Sequence, residues 1–143
     1  VLSWPVETGN TVELSSKFTN RVIHPLTGKV TSHEGIDLPQ AGGTPVLAAA
    51  DGTVLEAAFD TSDGNYVLLR HGDMTTKYAH LREYTVEPGE TVSTGDQIGL
   101  VGRTGMATGD HLHFEVALDG TRVDPLDYLD ESVAAVMGGV ELR

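Results

Sequence analysis

Three features of the 143-residue sequence predict a mainly β fold, an antiparallel β-sheet or sandwich with little helix. Six short apolar runs read as strands: Val46–Ala50, Thr53–Ala57, Tyr66–Arg70, Lys77–His80, Ile98–Val101 and Leu112–Leu118. Many of the 17 glycines fall in the intervals between these runs, as tight turns require. No helical period of roughly 10–15 residues separates the runs, which disfavours a βαβ fold.

The turns can be placed one by one. Gly42-Gly43, Asp51-Gly52, Asp63-Gly64-Asn65, His71-Gly72-Asp73, Pro88-Gly89, Gly95-Asp96 and Asp119-Gly120 bound the strands, and several supply the glycine that a positive-φ position needs. The first thirty residues are looser. Asn20–Ser32 is expected to hold an ordered loop, with Pro25 and Gly28 marking turns. One segment reads as helical: in Pro125–Met137, Leu126, Leu129, Val133 and Val136 recur at spacings of three and four. The acidic residues there, Asp124, Asp127, Asp130 and Glu131, fit a solvated helix start. The expected organisation is one domain over residues 1–130, with 131–143 a C-terminal tail or the start of a linker.

Composition narrows the function classes. There are 21 acidic against 9 basic residues, for a net charge of -12. A nucleic-acid binder needs a basic footprint to displace counterions, so that class is excluded. Docking on an anionic surface by charge alone is disfavoured for the same reason. With no cysteine, neither a disulfide frame nor a thiolate metal site is available. No run reaches the ~18 apolar residues of a membrane span. The chain opens on Val1 with no signal-peptide pattern, and is expected to be a processed chain or an excised domain. Six histidines stand against three lysines.

Those histidines carry the chemistry. His111 and His113 flank Leu112 in a strand, so both imidazoles project from one face, about 7 Å apart along the chain. They can share a metal. His33 and Asp37 lie four apart in His33-Glu34-Gly35-Ile36-Asp37. Gly35 and Pro39 make that stretch extended or bent, and in either form the two can converge. Imidazole nitrogen and carboxylate oxygen suit zinc. His80 ends the strand Tyr78-Ala79-His80. A catalytic zinc site takes three protein ligands and leaves one position for water. His33, Asp37 and one member of the His111/His113 pair would supply three. The other member and His80 would remain nearby as neutral imidazoles able to move a proton. His24 and His71 read as structural, and Trp4 and Phe114 as packing residues.

Across about Trp4 to Leu129, these and further residues resemble the lysostaphin and LytM-type zinc metallopeptidases that cleave peptidoglycan, the M23 peptidases. The resemblance rests on Trp4-Pro5-Val6, the His33…Asp37 motif, Gly43-Thr44-Pro45-Val46, Ala49-Ala50-Asp51-Gly52-Thr53-Val54, Gly64-Asn65-Tyr66-Val67, Tyr78-Ala79-His80-Leu81, Gly95-Asp96 with Ile98-Gly99, His111-Leu112-His113-Phe114-Glu115-Val116 and Val123-Asp124-Pro125. Each is weak alone; together, in order and spacing, they are specific. The resemblance implies a LytM-like fold of the duplicated-hybrid-motif type with a groove that carries one zinc ion per chain. It implies His33, Asp37 and His113 as ligands and His80 and His111 as catalytic residues. The implied substrate is a peptidoglycan stem or cross-bridge peptide, met outside the cell, in the periplasm or on a phage particle. A monomer with additional domains outside these residues is expected.

The chain departs from the family pattern in two places. Many relatives have Phe-Gly-x-Arg where Phe18-Thr19-Asn20-Arg21 stands, which leaves Asn20 or Arg21, or no side chain, to stabilise an oxyanion. Many have proline before the H-x-H, where this chain has Asp110; it would repel acidic substrate groups, orient an imidazole, or simply face solvent. Two alternatives differ in class. A non-catalytic activator module of the same fold for cell-wall hydrolases would lack stoichiometric zinc. A phosphocarrier or lipoyl-type domain would need paired histidines without the aspartate, or a lysine at the Asp51-Gly52 turn, which has none.

Overall fold

The computed structural model describes residues 1–23, 26–28 and 30–143, with only the backbone of 20–23, 30 and 31. The strands, in chain order, are β1 (Thr11–Glu13), β2 (Thr19–Ile23), β3 (Val30–His33), β4 (Ile36–Pro39), β5 (Pro45–Leu47), β6 (Gly52–Asp60) and β7 (Gly64–His71). They continue as β8 (Met74–Tyr84), β9 (Thr91–Val92), β10 (Gln97–Val101), β11 (His111–Leu118), β12 (Thr121–Val123), β13 (Ala134–Met137) and β14 (Val140–Glu141). All six expected runs lie on strands, though the first extends only through Leu47. A nine-stranded antiparallel sheet follows the order β12-β11-β8-β7-β6-β9, with β4, β5 and β10 joined to it.

Two strands of this sheet position the site. β11 pairs with β8 along one edge (His113 opposite Ala79) and with β4 along the other (His113 opposite Asp37). Residues directly opposite in an antiparallel pair share a face. His113, Asp37 and Ala79 therefore point one way, while Leu112, Leu38, Phe114 and Tyr78 point into the core, all fully buried. β8 changes partners as it passes His80: up to Ala79 it pairs with β11, and from Leu81 with β10. The bend falls on His80 itself, at φ 63, a left-handed conformation that costs a non-glycine residue energy.

Beneath the sheet a buried polar chain is closed end to end. The Ala49 N–H donates to Tyr78 Oη, which lies 2.8 Å from Thr76 Oγ1. Thr76 in turn meets His71 Nε2, and His71 Nδ1–H donates to the Asp51 carbonyl. His71 is a structural residue, as its sequence context suggests. Trp4 and Phe114 are buried packing residues too.

Three regions correct the sequence reading. The expected loop over 20–32 contains β2 and β3, which pair antiparallel; His24 and Pro25 lie outside the described residues. The expected helix over 125–137 is a single 3₁₀ turn, Pro125–Asp127, capped by Asp124, followed by β13. Its apolar spacing is satisfied differently: Leu126 and Leu129 are buried around the turn, and β13 joins β1 as a parallel strand that buries Ala135. Gly138 and Gly139, both at positive φ, then turn the chain into β14. Residues 131–143, expected as a tail or linker, carry β13, which pairs with β1, and β14, which pairs with β13. The last side chain, Arg143, donates to the carbonyls of Leu126, Leu129 and Asp130. No described helix is long and apolar enough to cross a membrane.

Candidate active site

His33 ends β3, and the chain bends at Gly35 before entering β4 with Asp37. Glycine is required there: a Cβ on Gly35 would stand 2.3 Å from the Phe114 carbonyl oxygen. This close approach of the bend to β11 lets residues 33 and 37 reach His113. His33 Nε2 lies 3.4 Å from Asp37 Oδ2, and His113 Nδ1 lies 2.8 Å from Asp37 Oδ1. Together the three offer two nitrogens and one oxygen within 4.8 Å of one another. Three converging donors of this type suit a divalent metal with an open coordination position.

Each ligand candidate is held from behind. His33 Nδ1–H donates to the Lys17 carbonyl at 3.0 Å, with Ser16 Oγ 3.2 Å away. His113 Nε2–H donates to Glu115 Oε2 at 2.7 Å. Both rings therefore turn their other nitrogen toward Asp37. A partner on the non-ligating nitrogen fixes the tautomer that a metal needs. Glu115 is fixed in turn by the Arg122 Nε–H at 2.9 Å. Glu115, which the motifs alone give no role, carries its signal in the sequence: by the two-residue period of a strand it shares the face of His111 and His113.

His80 and His111 stand beside this cluster, their ring centroids 4.9 Å apart. His80 Nδ1–H donates to the Thr104 carbonyl at 2.8 Å, and His111 Nδ1–H to the Gly109 carbonyl at 3.0 Å. Each keeps an Nε2 lone pair free to accept a proton. His111 Nε2 is 3.8 Å from Asp37 Oδ1. All five residues singled out in the sequence line one open groove of about 440 Å³, whose walls include Asp63, Met106 and Thr108. The side chains of Asn20 and Arg21, the candidates for an oxyanion role, lie outside the described ones.

The electrostatics divide the site in two. Burial alone would raise the Asp37 carboxyl, but hydrogen bonds from His113 and His33 hold it far below the usual carboxylate range. Burial disfavours charge on His113 as well; its bonds to Asp37 and Glu115 outweigh that and push it up to about 9. Burial is also the main influence on His80, and no carboxylate hydrogen bond opposes it. Despite the Thr104 carbonyl, its pKa is lowered. His80 is thus a neutral imidazole at pH 7, in reach of the metal donors.

The model of peptidase family M23 matches residues 31–125. Peptidoglycan DD-endopeptidase ShyC of Vibrio cholerae is 42% identical over 113 residues, covering 78% of this chain and 26% of that protein. Among solved structures, a zinc containing peptidase from Vibrio cholerae superposes with a TM-score of 0.78 at 37% identity, covering 85% of this chain and 37% of the other. The catalytic domain of lysostaphin from Staphylococcus simulans superposes at 0.71 with 30% identity, over 82% of this chain and 91% of that domain. The chain spans 24–30% of the length of the first curated relatives it matches.

Proposed function

Because the chain belongs to peptidase family M23, we propose that it is a zinc-dependent endopeptidase that hydrolyses peptide bonds in the stems or cross-bridges of bacterial peptidoglycan. The observation that carries this reading is the division of labour among five groove residues. His33, Asp37 and His113 converge as donors, while His80 and His111, anchored through Nδ1, offer their Nε2 atoms beside them. His33, Asp37 and His113 would hold the zinc, which would supply Lewis acidity to polarise an amide carbonyl and to let water lose a proton near neutral pH. His111 accepts the proton of the attacking water. His80 orients that water or stabilises the tetrahedral intermediate, and one of the two imidazoles then protonates the leaving amine. The substrate places the reaction outside the cytoplasm, in the periplasm, in the extracellular space or on a phage particle. We take the working unit as a monomer with one zinc ion. A non-catalytic module is less supported, since all five site side chains are in place.

The direct test is digestion of purified walls with differing cross-link chemistry, with released fragments identified by mass. Excess chelator is expected to abolish release and added zinc to restore it; undiminished release in chelator would overturn the reading. The lowered His80 pKa also sets a pH dependence. A neutral imidazole is lost as pH falls through its pKa, so kcat/KM is expected to hold from pH 7 to 8 and to decline only below the ordinary imidazole value of about 6.5. A profile that stays level down to pH 5 would count against a histidine base.

A further inference from the structure

The loop from Gly102 to Asp110, between β10 and β11, holds both catalytic-histidine anchors. Its Thr104 and Gly109 carbonyls accept the Nδ1–H groups of His80 and His111. One loop therefore sets the tautomer of both rings. Its far side is docked on the β6–β7 turn: Thr104 Oγ1 accepts from the Asn65 N–H and donates to the Leu81 carbonyl, and the Met106 N–H donates to Ser62. Gly105 lies so close to Gly64 that a Cβ would come within 2.3 Å of the Gly64 nitrogen. The near side is closed differently. Arg103, at the start of the loop, grips Asp110, at its end, with a two-pronged fork: Nε to Oδ1 at 3.1 Å and Nη2 to Oδ2 at 2.9 Å.

We propose that the Arg103–Asp110 fork is a positioning clasp, which holds the near end of the Gly102–Asp110 loop so that His111 presents Nε2 to the groove, while His80 is set by the docked far side. The inference rests on the catalytic reading of His111. The Asp110 carboxylate, the departure from the family pattern noted in the sequence, is engaged by Arg103 and by the Gly42 N–H instead of by substrate. The fork's two parallel bonds fix an angle as well as a distance, which one point charge does not. Its side chains are partly or largely solvent-exposed, Arg103 at 65% and Asp110 at 31%. An ion pair of that exposure adds little to fold stability. Its effect falls on geometry: without the fork the Gly109 carbonyl, adjacent to Asp110, is free to move, whereas the Thr104 carbonyl stays held by the docked far side.

The test uses the zinc-loaded chain and its Asp110→Ala, Arg103→Ala and double variants. Ring ¹⁵N shifts of His80 and His111 report the tautomers directly. In each single variant the Nδ1–H form of His111 is expected to give way to a mixture while that of His80 persists, with zinc content unchanged. On wall peptides kcat should fall about tenfold, a fraction of the roughly 10²–10⁴ that a positioned base contributes, with KM nearly constant. The double variant should be no worse than either single one, and the exchanged pair Arg103→Asp with Asp110→Arg should recover part of the loss. Unaltered His111 ring shifts in both single variants overturn the proposal, whatever happens to activity. If the parent chain cleaves no wall peptide, the catalytic reading fails, while the ring shifts still decide whether the fork sets the His111 tautomer.

Discussion

Replacing His113 with alanine is expected to abolish both zinc retention and wall-peptide cleavage. His80→Ala and His111→Ala should each keep zinc and lose turnover by roughly 10²–10⁴. The difference follows from where the rings sit. His113 is the most enclosed of the three donors, with its two nitrogens 2.8 Å from Asp37 and 2.7 Å from Glu115. Its removal takes away one ligand and leaves Asp37 without its shortest contact. Two donors, His33 and Asp37, cannot make the three-ligand site that catalytic zinc requires. His80 and His111 are anchored instead on backbone carbonyls, and neither anchoring bond involves a donor atom. Deleting either ring leaves the cluster intact and removes a proton carrier. Metal analysis of the three purified variants decides it: equal zinc in all three contradicts the division of roles.

The same division shows what the sequence could reveal. The H-x-H was legible because a strand alternates faces: once Leu112 is assigned to the core, His111 and His113 must share the other face. The His33…Asp37 pair was legible only as a possible convergence. What gathers it is Gly35 lying against the Phe114 carbonyl, a contact between segments nearly eighty residues apart, and no local pattern encodes it. His80 illustrates a different limit. Its place beside His111 depends on a left-handed bend in β8, which a histidine gives no reason to expect. Strand propensity found six strands of the central sheet, where apolar runs are longer. It missed β1, β13 and β14, which are short and are held by pairing and by the burial of Val12 and Ala135. The 125–137 segment failed for the same reason: a spacing of three and four serves a 3₁₀ turn followed by a strand as well as it serves a helix.

Glu115→Ala is expected to weaken zinc binding by roughly 10–100-fold, because an outer carboxylate orients the ligand and strengthens its basicity. Glu115 is well placed for this. Burial would raise its pKa, but hydrogen bonds from His113 and Arg122 hold it at about 2, so it is fully charged at neutral pH. Its charge also governs the proton that zinc must displace. In the metal-free chain His113 is raised from 6.5 to about 9, so it is protonated at pH 7 and must release that proton on binding metal. The bonds of protonated His113 stabilise the metal-free fold fully below pH 6.5 and are lost as pH rises through 9. The depressed Glu115 acts oppositely: its contribution is present above pH 4.5 and lost as pH falls toward 2. Removing Glu115 lowers the His113 pKa, so the variant should release fewer protons per zinc at pH 7 while binding more weakly. Titration calorimetry in buffers of different ionisation heat measures both quantities at once. Wild-type affinity with a wild-type proton count would show that Glu115 acts only as packing, whereas weaker binding with an unchanged count would assign it orientation of the ring without control of the proton.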